Sequence, residues 1–90
     1  MTIAYQIKVA GRVQGVGFRY YTKLEADKLG IRGTVRNEKD GSVIIEVVGK
    51  EEDVNEFLRW CHKGPPTALV DSLNYNNIPM VHFDNFEILR

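Results

Sequence analysis

The order in which hydrophobic periodicity changes along the chain limits its fold more than any other feature. Ile3, Tyr5, Ile7 and Val9 alternate with Ala4, Gln6, Lys8 and Ala10, which is the period of a strand with one buried face. Phe18, Tyr21, Thr22, Ala26 and Leu29 then fall on one side of a helical wheel, and Gly30 supplies a stop. Residues 31–36 read as a short strand, and Val43-Ile44-Ile45-Glu46-Val47-Val48, rich in β-branched side chains, as a second. Asp40-Gly41 marks a turn between them, in a hairpin loop of about four residues built around a type I turn. Glu51, Glu52 and Asp53 load the positive end of a second helix, in which Val54, Phe57, Leu58 and Cys61 repeat at helical spacing. Lys63-Gly64-Pro65-Pro66 ends that helix. Residues 68–75 read as a strand, Asn76-Asn77-Ile78-Pro79 as a turn, and residues 83–89 as a final strand or extended edge.

Strand, helix, strand, strand, helix, strand, with a short terminal strand, is the order of an α+β ferredoxin-like sandwich. Its sheet is antiparallel and both helices pack on one face. With 90 residues, 43% of them hydrophobic, the expectation is one small domain spanning residues 1–90. The formal net charge is zero, so no general field draws in nucleic acid or an anionic membrane, and any anion site must be local. A single cysteine excludes an internal disulfide and, with two histidines lacking partners at useful spacing, predicts no metal site. The first residues lack a basic region followed by an apolar stretch, and nothing reaches membrane-spanning length. The chain is expected to be soluble and cytoplasmic.

Gly11-Arg12-Val13-Gln14-Gly15-Val16-Gly17-Phe18-Arg19 connects the first strand to the first helix. Glycines at 15 and 17 let the backbone turn tightly and let a ligand approach the main chain. Successive N–H groups in such a turn form an anion nest, reinforced by the unpaired donors and positive dipole end of the following helix. Arg19 adds a planar fork that grips two phosphate oxygens at once. Spacing alone leaves two readings open: an anion cradle, or a Gly-rich turn followed by a surface arginine. Asn37 falls at the junction of strand and turn, where an asparagine also serves simply to satisfy local backbone. Glu25 lies within the apolar stripe of the first helix and is read as half of a partly covered salt bridge. Cys61 is read as a packed thiol, and His62 and His82 as solvated.

Two segments together, residues 11–19 and Gly33-Thr34-Val35-Arg36-Asn37-Glu38-Lys39-Asp40-Gly41-Ser42-Val43, resemble the signature segments of the acylphosphatases. The likeness continues through Lys63-Gly64-Pro65-Pro66 to Phe86-Glu87-Ile88 and so spans essentially the whole chain. It implies a small, monomeric, metal-independent hydrolase that needs no cofactor, cleaves acyl phosphates to a carboxylate and inorganic phosphate, and has the ferredoxin-like fold. It also implies roles. Arg19 corresponds to the arginine that binds the phosphoryl group together with loop N–H groups, here those of Gln14, Gly15, Val16, Gly17, Phe18 and Arg19. Asn37 corresponds to the asparagine that orients the attacking water. Thr34 stands where many members carry an aromatic residue, which bears on substrate preference or packing, and residues 74–84 match weakly.

Such a spare site suits such a substrate. The leaving group is a carboxylate of low pKa, so no general acid has to protonate it. What remains is to neutralise the phosphoryl oxygens and to place water in line with the leaving oxygen. Asn37 can hold water by accepting and donating but cannot act as a base, so the proton is expected to go to the bound phosphate itself. Two other functions compete: a non-catalytic anion-binding module and a single-stranded RNA-binding module. RNA-binding sheets stack bases on aromatics of central strands, whereas Phe18, Tyr20 and Tyr21 fall on a turn and helix start. The expected partner is therefore a small acyl phosphate, with no nucleic acid and no membrane.

Overall fold

The structure is a computed structural model and describes residues 1–90. Seven elements follow in order: β1 (Thr2–Arg12), α1 (Phe18–Leu29), β2 (Arg32–Asn37), β3 (Val43–Lys50), α2 (Glu51–Lys63), β4 (Leu69–Asn77) and β5 (Phe86–Ile88). They form one five-stranded sheet in the order β4-β1-β3-β2-β5. The first four strands pair antiparallel, as a ferredoxin-like sandwich requires. The added β5 runs parallel to β2, so the complete sheet is mixed.

Alternation along the strands decides which side chains meet the helices. Ile7 pairs with Ile45, Val9 with Val43, and Val35 with Ile45, and this face is buried together with Val54, Phe57 and Cys61 of α2 and Phe18 and Ala26 of α1. On α1 the buried residues are Phe18, Thr22 and Ala26, but Tyr21 is 42% exposed, so the expected apolar stripe is narrower than its pattern suggests. Glu25 takes no part in any of the ion pairs, which corrects the expected salt bridge. It lines a shallow groove with Tyr21, Trp60 and Lys63 instead.

Each helix end is set by its sequence. Gly30 adopts φ +70 and ends α1, and the following Ile31 N–H donates to Ala26 O at 2.9 Å, satisfying a terminal carbonyl. No side chain caps the start of α2; Glu51, Glu52 and Asp53 complement its dipole, and Glu51 N–H donates to Met1 O at 2.9 Å. The last part of the chain departs from its sequence pattern. β4 continues to Asn77, through half of the expected turn, because Asn76 and Asn77 pair with Gln6 and Tyr5. β5 is three residues long and not seven, since residues 78–85 are used in crossing from one edge of the sheet to the other.

The topology gathers three chain segments at one end of the sandwich. β1 and β2 both run antiparallel to β3 and β5 runs parallel to β2, so all three point the same way. The loop after β1, the end of β2 and the residues after β5 therefore converge. A register shift between Ala10 and Gly11 bends β1 just before it enters the loop.

Candidate active site

Gly15 and Gly17 have φ +74 and +79, a left-handed backbone that side chains with a Cβ rarely adopt, and Gly17 is the residue before α1. The loop they shape leaves its main-chain donors without partners inside the fold. The backbone N–H groups of residues 14–19 donate to no carbonyl of the chain. Those of Phe18 and Arg19 belong to the first turn of a helix, where the dipole adds positive potential. No acidic residue stands in that turn. Arg19 does stand there, a cation at the end of a helix that disfavours cations.

Asn37 reaches the same place from the other side. It pairs with Val43 two residues beyond the Val35–Ile45 pair, so its side chain lies on the helix-covered face. Its Oδ1 is buried and accepts no hydrogen bond from the protein. Arg19 and Asn37 both line a cavity of about 220 Å³, together with Val13, Gly15, Gly17, Phe18, Tyr20, Ile88 and Arg90. Two arginines and no aspartate or glutamate line this space. Arg19 is half-buried and donates from Nη1 to Leu89 O at 3.3 Å, a long bond to the closing segment.

Of the six residues expected to cradle an anion, Gly15, Gly17, Phe18 and Arg19 line the cavity, whereas Gln14 and Val16 do not. Val16 packs against the core cluster, and its carbonyl accepts a hydrogen bond from Thr67 Oγ1 at 2.6 Å. The Gln14 side chain points to the β2–β3 hairpin, where Nε2 donates to Glu38 O and to Ser42 O, both at 2.8 Å. Val13, Tyr20, Ile88 and Arg90 are cavity residues that the sequence reading did not single out. Ile88 and Arg90 had no local signal, because their place depends on the crossing of residues 78–85. Thr34 pairs with Glu46 one position out of phase with Asn37, on the other face of the sheet, and is absent from the cavity wall.

The hairpin carrying Asn37 is tightly closed. Glu38 N–H donates to Ser42 O at 2.9 Å, and Gly41 N–H to Glu38 O at 3.1 Å. Asp40 accepts from Ser42 N–H at 2.9 Å and from its hydroxyl at 2.6 Å, and Lys8 of β1 pairs with it at 3.0 Å. These donors hold the Asp40 carboxyl well below the usual carboxylate range. No three His, Cys, Asp or Glu side chains stand close enough to hold a metal ion.

A ferredoxin-like α+β sandwich thus brings a loop of unbonded amides, Arg19 and a buried asparagine oxygen to one cavity, an arrangement whose chemistry suits an anion. The family model "Acylphosphatase" matches residues 5–88. The chain is 51% identical over 74 residues to an acylphosphatase of Nocardioides sp., covering 82% of this chain and 75% of that one. It is 47% identical over 83 residues to an acylphosphatase of Pseudothermotoga lettingae, covering 92% and 93%. Its fold is similar to the crystal structure of acylphosphatase from Bacillus subtilis, with a TM-score of 0.93 and 36% identity over 100% of both chains. The chain belongs to the acylphosphatase family.

Proposed function

We propose that residues 14–19 and Arg19 hold the phosphoryl group of an acyl phosphate while Asn37 holds the water that attacks it. Hydrolysis of acyl phosphates is the activity that goes with this family, and the chain is an acyl phosphate hydrolase. The observation that carries the assignment of roles is the meeting of unpaired loop N–H groups, Arg19 and the unpartnered Asn37 Oδ1 around one cavity.

The chemistry runs as one displacement. Loop amides and Arg19 neutralise the non-bridging phosphoryl oxygens, whose charge shifts as the bond to the acyl oxygen lengthens. A water donates one hydrogen bond to Asn37 Oδ1, which orients its lone pair toward phosphorus. The water oxygen forms the new P–O bond, the bond to the acyl oxygen breaks, and its electron pair leaves with the carboxylate. The water's proton passes to a phosphoryl oxygen, so the products are a carboxylate and inorganic phosphate. Asn37 stays neutral throughout and supplies position, not basicity.

The rest of the reading is consistent with a domain that works by itself. Residues 1–90 act as a single acylphosphatase-like domain, a cytoplasmic monomer whose partner is the small substrate. Cys61 as a free buried thiol supports a reducing compartment. No helix is long and apolar enough to cross a membrane. RNA binding is disfavoured because Tyr20 and Tyr21, the exposed aromatics near the loop, stand on α1 and not on the sheet. The test is phosphate release from benzoyl phosphate in the presence of chelator. Chelator-resistant turnover that Asn37→Ala lowers supports the roles; full turnover in that variant overturns them.

A further inference from the structure

The two halves of the site come from segments far apart in sequence, and one side chain ties them together. Gln14 Nε2 spends both of its hydrogens on the hairpin, at 2.8 Å to Glu38 O and 2.8 Å to Ser42 O. Glu38 follows Asn37 directly, and Ser42 precedes Val43, the residue paired with Asn37. The two carbonyls thus flank Asn37 on both strands of the hairpin. They are also joined to each other through Glu38 N–H and Ser42 O. The main chain of Gln14 opens the cradle while its side chain anchors the hairpin.

We infer that Gln14 is a positioning residue that sets the distance and angle between the phosphate cradle and the water site at Asn37. This rests on the reading of Asn37 as the water holder. Only a primary amide at the end of two methylenes fits the task. A single NH₂ offers two donors at a fixed fork angle, matching two carbonyls, and the neutral group brings no charge beside the phosphoryl site. A carboxylate in its place would face two carbonyl oxygens with no hydrogen to give. The Gln14 side chain is spent on the hairpin and lines no part of the cavity, so its effect must travel through Asn37. A misplacement of about 1 Å at the attacking group can cost roughly a hundredfold in rate.

The experiment measures kcat and KM for benzoyl phosphate, and the inhibition constant of inorganic phosphate, in wild type, Gln14→Met, Gln14→Asn, Asn37→Ala and the Gln14→Met/Asn37→Ala double variant. Gln14→Met keeps the length and removes both donors; Gln14→Asn keeps the amide but is one methylene short of spanning both carbonyls. The expected result is a fall in kcat of roughly ten- to a hundredfold in both single Gln14 variants, by loss of alignment. Phosphate inhibition stays near the wild-type value because the cradle amides remain. In the Asn37→Ala background Gln14→Met has little further effect, the non-additivity expected of residues acting as a unit. Wild-type kcat in Gln14→Asn, an equal loss of phosphate affinity, or losses that multiply in the double variant would each overturn the inference. An Asn37→Ala enzyme with full turnover would instead bring down the reading beneath it. Should Gln14→Met not fold, Gln14→Asn in both backgrounds decides the question alone.

Discussion

Arg19, in the first turn of α1, and Asn37, the last residue of β2, line one cavity although the rest of α1 and most of β2 separate them in the chain. They meet because β1 and β2 point the same way, which brings the start of α1 and the end of β2 to one edge of the sandwich. Each is also awkward where it stands. A cation in the first turn of a helix opposes the dipole, and the buried Asn37 oxygen accepts no hydrogen bond from within the fold. Sites that trade stability for chemistry have this character.

The first prediction follows from the position of Arg19. Arg19→Gln should lower kcat/KM by roughly three orders of magnitude or more, the range lost when an arginine that stabilises a transferring phosphoryl group is removed. Its melting temperature should not fall, because the dipole gains from loss of the cation and the 3.3 Å bond to Leu89 O is long and exposed. Arg19→Lys should recover little, since a point charge does not reproduce the fork. Benzoyl phosphate turnover beside a thermal melt checks all three; an active Arg19→Gln enzyme, or one that is inactive because it has unfolded, contradicts the assignment.

Asn37 gives a different signature. Asn37→Ala should lower kcat by roughly two to three orders of magnitude, as loss of one preorganised polar group does, while phosphate still inhibits at its wild-type concentration. Oδ1 accepts no hydrogen bond from the protein, so removing it breaks none, and only the packing of a small side chain is lost. The melting temperature should therefore change little. Isothermal titration with phosphate and a denaturant melt separate this outcome from a turn residue, whose loss would lower stability and binding together.

The local signals at Arg19 and Asn37, a glycine-rich turn opening a helix and a polar residue at a hairpin junction, left two readings of each open, and only the resemblance of the two segments to one family joined them. The four-stranded core was legible from the residues alone, since alternation in residues 3–9 and β-branched residues in 43–48 leave one face to bury. Ile88 and Arg90 were not, because a three-residue strand carries no period and its parallel pairing with β2 depends on where residues 78–85 cross. Nor was the anchoring by Gln14, whose partners are main-chain carbonyls and leave no mark in residue identity. Tyr21 was misread because helical spacing gives direction but not the width of the covering sheet.

Gly33 tests the register that delivers Asn37. It has φ +152, and a Cβ there would lie far inside van der Waals contact with Glu46 O on the adjoining strand. The neighbour is backbone and cannot swing aside. Gly33→Ala should therefore cost at least about 3 kcal/mol, the upper end for single substitutions, with urea denaturation as the measure. A near-wild-type midpoint would mean that β2 does not approach β3 this closely.

Cys61 should behave as core and not as chemistry. It is fully buried on α2, and burial, reinforced by the Glu25 carboxylate, pushes its thiol pKa well above the ordinary value. Native protein should resist an aromatic disulfide reagent that reacts stoichiometrically in denaturant. Cys61→Ala should keep full specific activity and lose about 1 kcal/mol or more of stability. The unfolded thiol ionises near its ordinary pKa whereas the folded one does not, so this group contributes a loss of stability as pH rises above about 8.5. Cys61→Ala should flatten the alkaline limb of a plot of melting temperature against pH.

Asp40 has the opposite sign. Ser42 N–H, the Ser42 hydroxyl and Lys8 hold its carboxyl below the usual range, so the folded state keeps it ionised where the unfolded chain would protonate it. Its contribution is present in full above the ordinary carboxylate pKa of about 3.9 and is lost as pH falls below that. The carboxylate is exposed, so the effect is small and screened by salt. It should nevertheless be local. Asp40 closes the hairpin that presents Asn37, so Asp40→Asn should raise amide exchange at Ser42 and Gly41 at neutral pH while exchange in α2 stays as in wild type. It should also remove the acid sensitivity of those two amides. Uniform acceleration across the chain in Asp40→Asn would show instead that Asp40 supports the whole fold and not the hairpin.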